Sequence, residues 1–258
     1  MPNLDIQFIG TGTFVPEKER ACSSTLLTFE DKQILVDIGT GSLRRLVEAD
    51  INPLELDFLF ITHFHPDHIG DLVNWLFVVA LDENPHRIGP VLLGPVGLKQ
   101  FLKAQALAYG DWLSHLLGRI EVRELETEKT AFSGWTVTRK YVQHTDNSLG
   151  FRFDFRGNTV AFSGDSGYCP ALVELCRDAD LAILECAYPD GRPTQNHLTP
   201  GDVIRIARQA NPRQLAINHI YPDTRPGNPV AIIRAALDIP VEEVQDLQHL
   251  YLETFAKV

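Results

Sequence analysis

The sequence is short of basic side chains. Its 258 residues include 23 Lys and Arg against 34 Asp and Glu, which gives a formal charge of −11 at pH 7. A general polyanion-binding protein needs an excess of positive charge, so this balance argues against one. Cysteine is also scarce, because the chain has four and none forms a Cys-x-x-Cys pair. We therefore expect reduced thiols rather than a disulfide framework.

Long apolar runs are missing as well. No window reaches the ~18 uninterrupted apolar residues of a membrane span, and the first residues lack a basic segment followed by an apolar stretch. We therefore expect no membrane partner and a cytoplasmic location. The 18 glycines and 16 prolines are scattered and form no linker-like segment. This distribution predicts a single domain over residues 1–258.

Short β-branched or aromatic runs alternate with amphipathic helical patterns in both halves of the chain. The spacing of apolar residues predicts helices at 41–49, 67–81, 96–117, 170–178, 200–210 and 229–237. The helix at 200–210 has a defined start, because Thr199 can cap it, Pro200 suits its first position and Asp202 places an acid in its first turn. The pattern predicts an α/β protein with sheets inside and helices outside.

The most informative segment follows an apolar strand at residues 58–61. Three histidines and an aspartate come after that strand within six positions: His63, His65, Asp67 and His68. Side chains two apart in an extended chain point to the same side, so His63 and His65 can share one metal ion. Asp67 and His68 are displaced along the helix that follows, which suits a second metal nearby.

This segment resembles the metallo-β-lactamase superfamily, because it carries that family's His-x-His-x-Asp-His signature intact. The family's later ligands are matched in order by His144, Asp165 and His219, each after an apolar strand. The resemblance implies a four-layer αββα sandwich of the metallo-β-lactamase type. The implied ligands of one metal ion are His63, His65 and His144. Those of the other are Asp67, His68 and His219, with Asp165 bridging the two.

The ligand types favour zinc. Ligation by histidine and aspartate without thiolate suits two Zn²⁺ ions, with manganese or iron as the alternatives. Bound Zn²⁺ lowers the pKa of water to about 7. The resemblance therefore implies a dinuclear zinc hydrolase in which a metal-activated hydroxide is the nucleophile.

His197 narrows the resemblance within that superfamily. It lies in the segment Gln-Asn-His-Leu-Thr before the capped helix and 22 residues before His219. This arrangement is similar to the ribonuclease Z and cyclic-phosphodiesterase branch, where the histidine meets the scissile phosphate and can act as a general acid. The implied function is a phosphodiesterase with His197 and Asp67 as catalytic residues.

Three further carboxylates lie near these positions in the sequence. Asp71 falls three residues after His68 and is a candidate acceptor for the proton of a ligand imidazole. Asp37 and Glu185 end strands with buried-looking patterns. Glu185 also resembles the acidic residue of the same branch that precedes the histidine loop, so it is a candidate to orient His197.

The resemblance to ribonuclease Z is incomplete. The RNA-processing members carry a long basic arm, whereas the span between His68 and His144 has no such arm and contains Glu121, Glu124, Glu126 and Glu128. Binding several phosphates needs clustered Lys and Arg. We therefore expect a small-molecule phosphodiester as a partner rather than RNA. A homodimer is a further candidate partner, because dimers are common in the resembling family.

Three alternatives stay open at this point. The same metal site could hydrolyse a lactone or a thioester, which the acidic, arm-less chain favours and His197 opposes. The protein could be a transfer RNA 3′-processing endonuclease. It could also be a metal-bound sensor without catalysis, although no ligand of the signature is lost.

Overall fold

A computed structural model describes residues 4–84, 89–192 and 194–252. Within that part of the chain, seven strands form a first sheet in the order β14-β1-β2-β3-β4-β5-β6. Their bounds are β1 (Leu4–Gly10), β2 (Ser24–Phe29), β3 (Lys32–Val36), β4 (Phe58–Phe60), β5 (Val91–Gly94), β6 (Glu121–Glu124) and β14 (His249–Leu252). Strands β3 to β6 are parallel, so their carboxyl ends share one edge.

A second sheet of seven strands in the described residues has the order β13-β12-β11-β10-β9-β8-β7. The bounds are β7 (Lys129–Ala131), β8 (Thr136–Tyr141), β9 (Leu149–Asp154), β10 (Thr159–Phe162), β11 (Leu181–Glu185), β12 (Leu215–Asn218) and β13 (Val241–Glu243). Strands β10 to β13 are parallel, whereas β7 to β10 pair antiparallel.

The helices lie outside the sheets. Those of the first half are α1 (Ser42–Glu48), α2 (Pro66–Ile69), α3 (Leu72–Ala80), α4 (Leu98–Tyr109) and α5 (Asp111–Leu117), with a 3₁₀ turn at Pro53–Glu55. Those of the second half are α6 (Pro170–Cys176), α7 (Pro200–Ala210) and α8 (Pro229–Ala236), with a 3₁₀ turn at Arg225–Gly227.

Three buried clusters define four layers. Side chains from both sheets meet in the first cluster, where Phe60 of β4 packs edge-on against Phe153 of β9 at 5.1 Å. A second cluster joins the outer face of the second sheet to helices α6, α7 and α8. A third joins the first sheet to helices α1, α3, α4 and α5, with Trp75 fully buried in it. The predicted αββα sandwich is confirmed.

Two of the predicted helices are each divided. The helix predicted at 67–81 is α2 followed by α3, and Asp71 precedes the second of them without a capping hydrogen bond from its side chain. The helix predicted at 96–117 is α4 followed by α5, because Gly110 adopts a positive φ of 94° that ends the first helix. Apolar periodicity continues across both breaks, so it does not reveal them.

The start of α7 agrees with the sequence. Thr199 accepts a hydrogen bond from the Asp202 N–H, and the Asp202 side chain accepts one from the Thr199 N–H, which completes a capping box. Strands β5, β7 and β13 have no clear signal in the sequence. Each has at most four residues, too few for a clear alternation of polar and apolar side chains.

The last strand returns the chain to its beginning. Strand β14 pairs with β1, and the loop before it places Asp246 against the first loop of the chain. The Asp246 carboxylate accepts hydrogen bonds from the Thr11 N–H and hydroxyl, from the Ala21 N–H and from Arg45. The Thr11 carbonyl in turn accepts the N–H of His219 at 3.1 Å.

Candidate active site

The first four candidate ligands lie where strand β4 is followed by helix α2. His65 keeps an extended backbone (φ −70°, ψ 147°), and Pro66 opens the helix as its first residue, a position that suits the fixed φ of proline. Asp67 and His68 therefore lie in the first turn of α2. His63, Asp67 and His68 are buried, with 0, 5 and 1% of their surface exposed.

The second sheet supplies the other three. Asp165 follows β10, and His219 follows β12 directly with a left-handed backbone of φ 50°. Because these strands are parallel, both side chains leave the sheet at the same edge. His144 follows β8, and a bridge between Gln143 and Gly167 joins its segment to the loop of Asp165.

Three imidazoles form a first ligand group. Nδ1 of His65 and Nε2 of His144 are 2.9 Å apart, and the rings of His63 and His144 have centroids 4.9 Å apart. One ligand atom from each of the three lies within 4.8 Å of the others. This spacing can hold one ion, because zinc–nitrogen bonds are about 2.0–2.1 Å long.

Asp165 lies between that group and a second one. The second group is Asp67, His68, Asp165 and His219. Nε2 of His219 lies 3.2 Å from Oδ2 of Asp67, and Nε2 of His68 lies 3.2 Å from Oδ1 of Asp165. The other carboxylate oxygen of Asp165, Oδ2, lies 3.9 Å from Nε2 of His144 in the first group. The two oxygens of Asp165 thus face different groups.

The ligand atoms of this cluster fit divalent cations. Nε2 of His63 is buried and has no hydrogen-bond partner among the described residues, and Nε2 of His68 and Oδ1 of Asp165, although 3.2 Å apart, are not aligned for a hydrogen bond. Burying a polar atom without a partner costs free energy, so buried polar atoms are nearly always hydrogen-bonded or bound to an ion. Histidine nitrogens and carboxylate oxygens that converge in this way are the ligands of zinc and similar metals.

Asp37 orients the ring of His68 directly and that of His63 through Thr62. Nδ1 of His68 lies 2.7 Å from Asp37 Oδ2, and the Thr62 hydroxyl donates to the same oxygen at 2.8 Å. The Thr62 N–H donates to the other carboxylate oxygen. The Thr62 oxygen also lies 3.0 Å from Nδ1 of His63. These contacts fix which nitrogen of each ring faces the cluster.

Asp71 does not contact a ligand imidazole as the sequence suggested. Its Oδ2 accepts hydrogen bonds from the N–H groups of Gly41 and Leu43, both at 3.0 Å. The chain turns between α2 and α3, so Asp71 does not continue the face of His68. It satisfies the free N–H groups at the start of α1 instead.

Glu185 holds His197 in the second sheet. Nδ1 of His197 lies 2.9 Å from Oε1 of Glu185, as the sequence suggested. The same carboxylate accepts the N–H groups of Ser166 and Leu198, and it is fully buried. The ring of His197 packs edge-on against that of His144 with centroids 4.8 Å apart. Nδ1 of His197 also lies 4.0 Å from Oδ2 of Asp165, which places this ring beside the candidate ligands.

Burial and charge set the protonation of the cluster. Burial holds the pKa of His63 well below its ordinary value and lowers that of His144. Burial acts to raise the pKa of Asp165, but His219 and His68 outweigh it and hold that pKa well below the usual range. Neutral imidazoles and an ionised carboxylate are the forms that bind a metal ion.

Three imidazoles, those of His68, His197 and His219, have raised pKa values. Burial acts to lower the pKa of His68, but the charges of Asp165 and Asp37 raise it well above its ordinary value. A metal ion displaces such a proton when it binds. Burial also acts to lower the pKa of His197, while the hydrogen bond and charge of Glu185 raise it to about 9. The direction of this shift favours the protonated form of His197.

Two tyrosines at this site were missed in the sequence. Tyr188 and Tyr221 stack on each other and contact His197 and His219 edge-on. Each lies three residues beyond the end of a parallel strand. That position is the available signal, because residues beyond the carboxyl ends of adjacent parallel strands meet at one edge.

Comparison with known proteins agrees with this geometry. The model of the β-lactamase superfamily domain matches residues 32–220. The chain belongs to the metallo-β-lactamase superfamily. Ribonuclease Z of Streptococcus equi subsp. equi is 27% identical over an alignment that covers 84% of this chain and 89% of that protein. This similarity places the chain in the ribonuclease Z-like branch, and it is a hydrolase of that superfamily.

Solved structures share the fold. The metallo-β-lactamase fold protein YhfI from Bacillus subtilis matches with a TM-score of 0.82 and 20% identity, covering 97% of this chain and 99% of that one. Human tRNase Z, short form, matches with a TM-score of 0.76 and 22% identity, covering 96% and 99%. The metallo-β-lactamase fold implies divalent metal ions, in agreement with the His and Asp cluster.

The expectation that a small-molecule phosphodiester is a better partner than RNA is wrong. Relatives that match most of the chain are named Ribonuclease Z. The expectation rested on the net charge, on the missing basic arm and on the dispersed Lys and Arg, and these features do not describe the charge near the site. A cavity of about 450 Å³ that reaches Cys22 and Thr40 is lined by Lys18, Arg20, Arg44 and Arg45 together with Glu17, and its three arginines pair with carboxylates.

The helices bear on the expectation that the protein has no membrane partner. Among the described residues, none of the helices has the length and apolar content needed to cross a bilayer.

Proposed function

We propose that this hydrolase is a metal-dependent phosphodiesterase that cleaves RNA. The observation that carries the proposal is the Glu185–His197 pair, in which a buried carboxylate holds an imidazole at 2.9 Å beside two groups of candidate ligands that share Asp165. Such an arrangement supplies a proton to a leaving oxygen next to sites for two cations. RNA is proposed as substrate because the relatives that cover most of this chain are named Ribonuclease Z.

Seven side chains are proposed as metal ligands. His63, His65 and His144 would hold one ion, and Asp67, His68 and His219 the other, with Asp165 between them. Two zinc ions would lower the pKa of a bound water and neutralise charge on the phosphate. Manganese and iron are the competing metals, because the ligand set has no thiolate to favour zinc decisively.

His197 is proposed as the general acid. Glu185 fixes its Nδ1, which leaves the other ring nitrogen to donate a proton to the departing ribose oxygen. The four hydrogen bonds that Glu185 accepts, from Ser166, Ala187, Leu198 and His197, keep this carboxylate in place. Asp67 is proposed to act in catalysis through its position beside His219, where its oxygen lies 3.2 Å from the ring.

The test is His197→Ala, assayed on a transfer RNA precursor with a 3′ trailer, on an aryl phosphodiester and on a thioester. General acid catalysis contributes typically 10²–10⁴-fold, so we expect RNA cleavage to fall by that factor while bound zinc, measured by mass spectrometry, is unchanged. His249→Ala is the matched control, because His249 is also paired with a carboxylate, Asp5, at 3.0 Å on the surface.

Three outcomes would contradict the proposal. Unchanged RNA cleavage by His197→Ala would show that His197 is not the general acid. Hydrolysis of the thioester or a lactone but of no phosphodiester would replace the proposed reaction. Zinc binding without hydrolysis of any substrate would favour a sensor. A single domain over 1–258, a cytoplasmic location and a homodimer stay predictions that gel filtration and cell fractionation can test.

A further inference from the structure

A column of flat side chains stands beside the proposed proton donor. Tyr188 and Tyr221 stack with centroids 5.1 Å apart and 21° between their planes. The guanidinium carbon of Arg192 lies 3.7 Å from the centre of the Tyr188 ring. The column reaches the site, because the Tyr188 ring meets His197 edge-on at 5.3 Å and the Tyr221 ring meets His219 edge-on at 5.9 Å.

The loops that carry the column are tied to each other. The Tyr221 N–H donates to the Ala187 carbonyl at 3.4 Å, and the buried Thr224 hydroxyl donates to the same carbonyl at 2.8 Å. The Tyr188 N–H donates to the carbonyl of Leu198, the residue after His197. The rings are therefore fixed relative to the general acid rather than free on the surface.

Arg192 keeps its charge and its planar group at the outside of the column. It pairs with Asp223 across 3.5 Å, and the two side chains are 45 and 71% exposed. An exposed pair of this kind contributes little free energy and is readily exchanged for another partner. The guanidinium is a positive group beside the site in a chain with a net charge of −11.

A second stack in the molecule has a different setting. Arg205 also lies 3.7 Å from a tyrosine ring, that of Tyr168. The Tyr168 hydroxyl donates to Gln209, and its ring packs against the apolar cluster under α6, α7 and α8. That stack is accounted for by packing. The stack of Arg192 on Tyr188 is built instead against His197.

We propose that Tyr221, Tyr188 and Arg192 form a platform for the unpaired nucleobase next to the scissile phosphate of an RNA substrate. Unpaired bases in protein complexes stack on aromatic rings and on guanidinium planes. The column offers both, beginning within ring contact of His197. This inference rests on the proposed function and names the feature of RNA that the site recognises.

The experiment compares Arg192→Ala, Arg192→Lys and wild type on single-stranded RNA in which an abasic nucleotide replaces each base in turn. Base stacking accounts for about 5- to 150-fold in affinity. We expect wild type to lose that factor in kcat/KM at one position next to the cleaved bond. Arg192→Ala should be lower on intact RNA and insensitive to that abasic site. Arg192→Lys should behave like Arg192→Ala, because it keeps the charge and loses the plane.

Arg205→Ala is the matched control and should keep the full sensitivity to the abasic site. Binding of the same RNAs to zinc-loaded His197→Ala, followed by fluorescence anisotropy, gives a readout without turnover. RNA cleavage by wild type that ignores every abasic substitution, or full recovery by Arg192→Lys, would overturn the platform and leave the proposed function standing. Base-dependent binding without cleavage of any phosphodiester would support the platform and overturn the proposed function.

Discussion

Asp37 and Glu185 hold corresponding positions in the two sheets. Asp37 directly follows β3 in the first sheet, and Glu185 ends β11 in the second. Both are buried, both accept backbone N–H groups, and each lies within 2.9 Å of Nδ1 of an imidazole. They differ in where that imidazole lies. The His68 side chain is 1% exposed, whereas that of His197 is 14% exposed.

This difference shows how one arrangement serves two chemical tasks. A buried carboxylate behind an imidazole fixes the tautomer and the orientation of the ring in both sheets. In the first sheet, Nε2 of His68 lies 3.2 Å from Asp165 within the cluster and is a candidate to bind a metal. In the second sheet the ring of His197 is more exposed, and it is a candidate to deliver a proton. Four substitutions test whether this division of roles is correct.

The largest effect is expected for Asp37→Ala. It removes the acceptor of the Thr62 N–H, the Thr62 hydroxyl and the His68 ring, all of which are buried. Breaking such a buried pair costs about 3–5 kcal/mol, and losing the partner of a metal-binding histidine costs about 10–100-fold in metal affinity. Urea unfolding and zinc titration measure the two effects. Asp5→Ala, which removes a surface partner of His249, is the control, and a folded Asp37→Ala with native zinc affinity would contradict the assignment.

Glu185→Gln should leave zinc bound and change the pH dependence of turnover. Glu185 raises the pKa of His197, so its removal lowers that pKa. A general acid is active below its pKa, and the rate falls as pH rises through it. The basic limb of the rate profile should therefore move to lower pH by roughly 1–3 units. A basic limb that stays in place would mean that another group donates the proton.

Thr62→Val is a smaller change to the hydrogen bonds that orient the imidazoles of the first sheet. It removes the hydroxyl that donates to Asp37 and lies 3.0 Å from Nδ1 of His63, while the volume of the side chain is nearly preserved. Leaving a buried partner unsatisfied costs about 1–3 kcal/mol. We expect a lower free energy of unfolding and weaker zinc binding, both smaller in size than for Asp37→Ala. An effect on the pH profile alone would contradict this.

Thr199→Ala should have the smallest effect and should be confined to the second sheet. It removes the capping side chain at the start of α7, two residues after His197. Loss of such a cap typically costs ~1 kcal/mol. Thermal unfolding should detect the loss while bound zinc and the pH profile stay as in wild type. A large fall in turnover would show that the cap also positions His197.

The sequence predicts the first half of the cluster well, because its members are neighbours along the chain. His63, His65, Asp67 and His68 need only a strand followed by a helix to come together. The later residues His144, Asp165 and His219 could be placed through their resemblance to a family. Without that resemblance, their meeting depends on the order of the strands, which no local pattern reveals.

Contacts that depend on the path of the backbone were beyond the sequence. The break between α2 and α3 directs Asp71 to Gly41 and Leu43 instead of His68, although periodicity favours the opposite. Tyr188 and Tyr221 come together because two parallel strands end side by side, and neither belongs to a motif. The net charge, the missing basic arm and the dispersed basic residues misled the choice of substrate for a related reason, since none of them gives the position of charge in the folded chain.

Asp246 and strand β14 bear on the order in which the molecule can form. A ribosome that has made residues 4–124 has produced six of the seven strands of the first sheet. It has not yet made the carboxylate that holds Thr11 and Ala21, or the His219 whose N–H binds the Thr11 carbonyl. The loop that contains Thr11 and Ala21 therefore gains these hydrogen bonds only after Asp246 has been made. His219, the last of the seven candidate ligands along the chain, likewise joins the cluster only after the other six have been made.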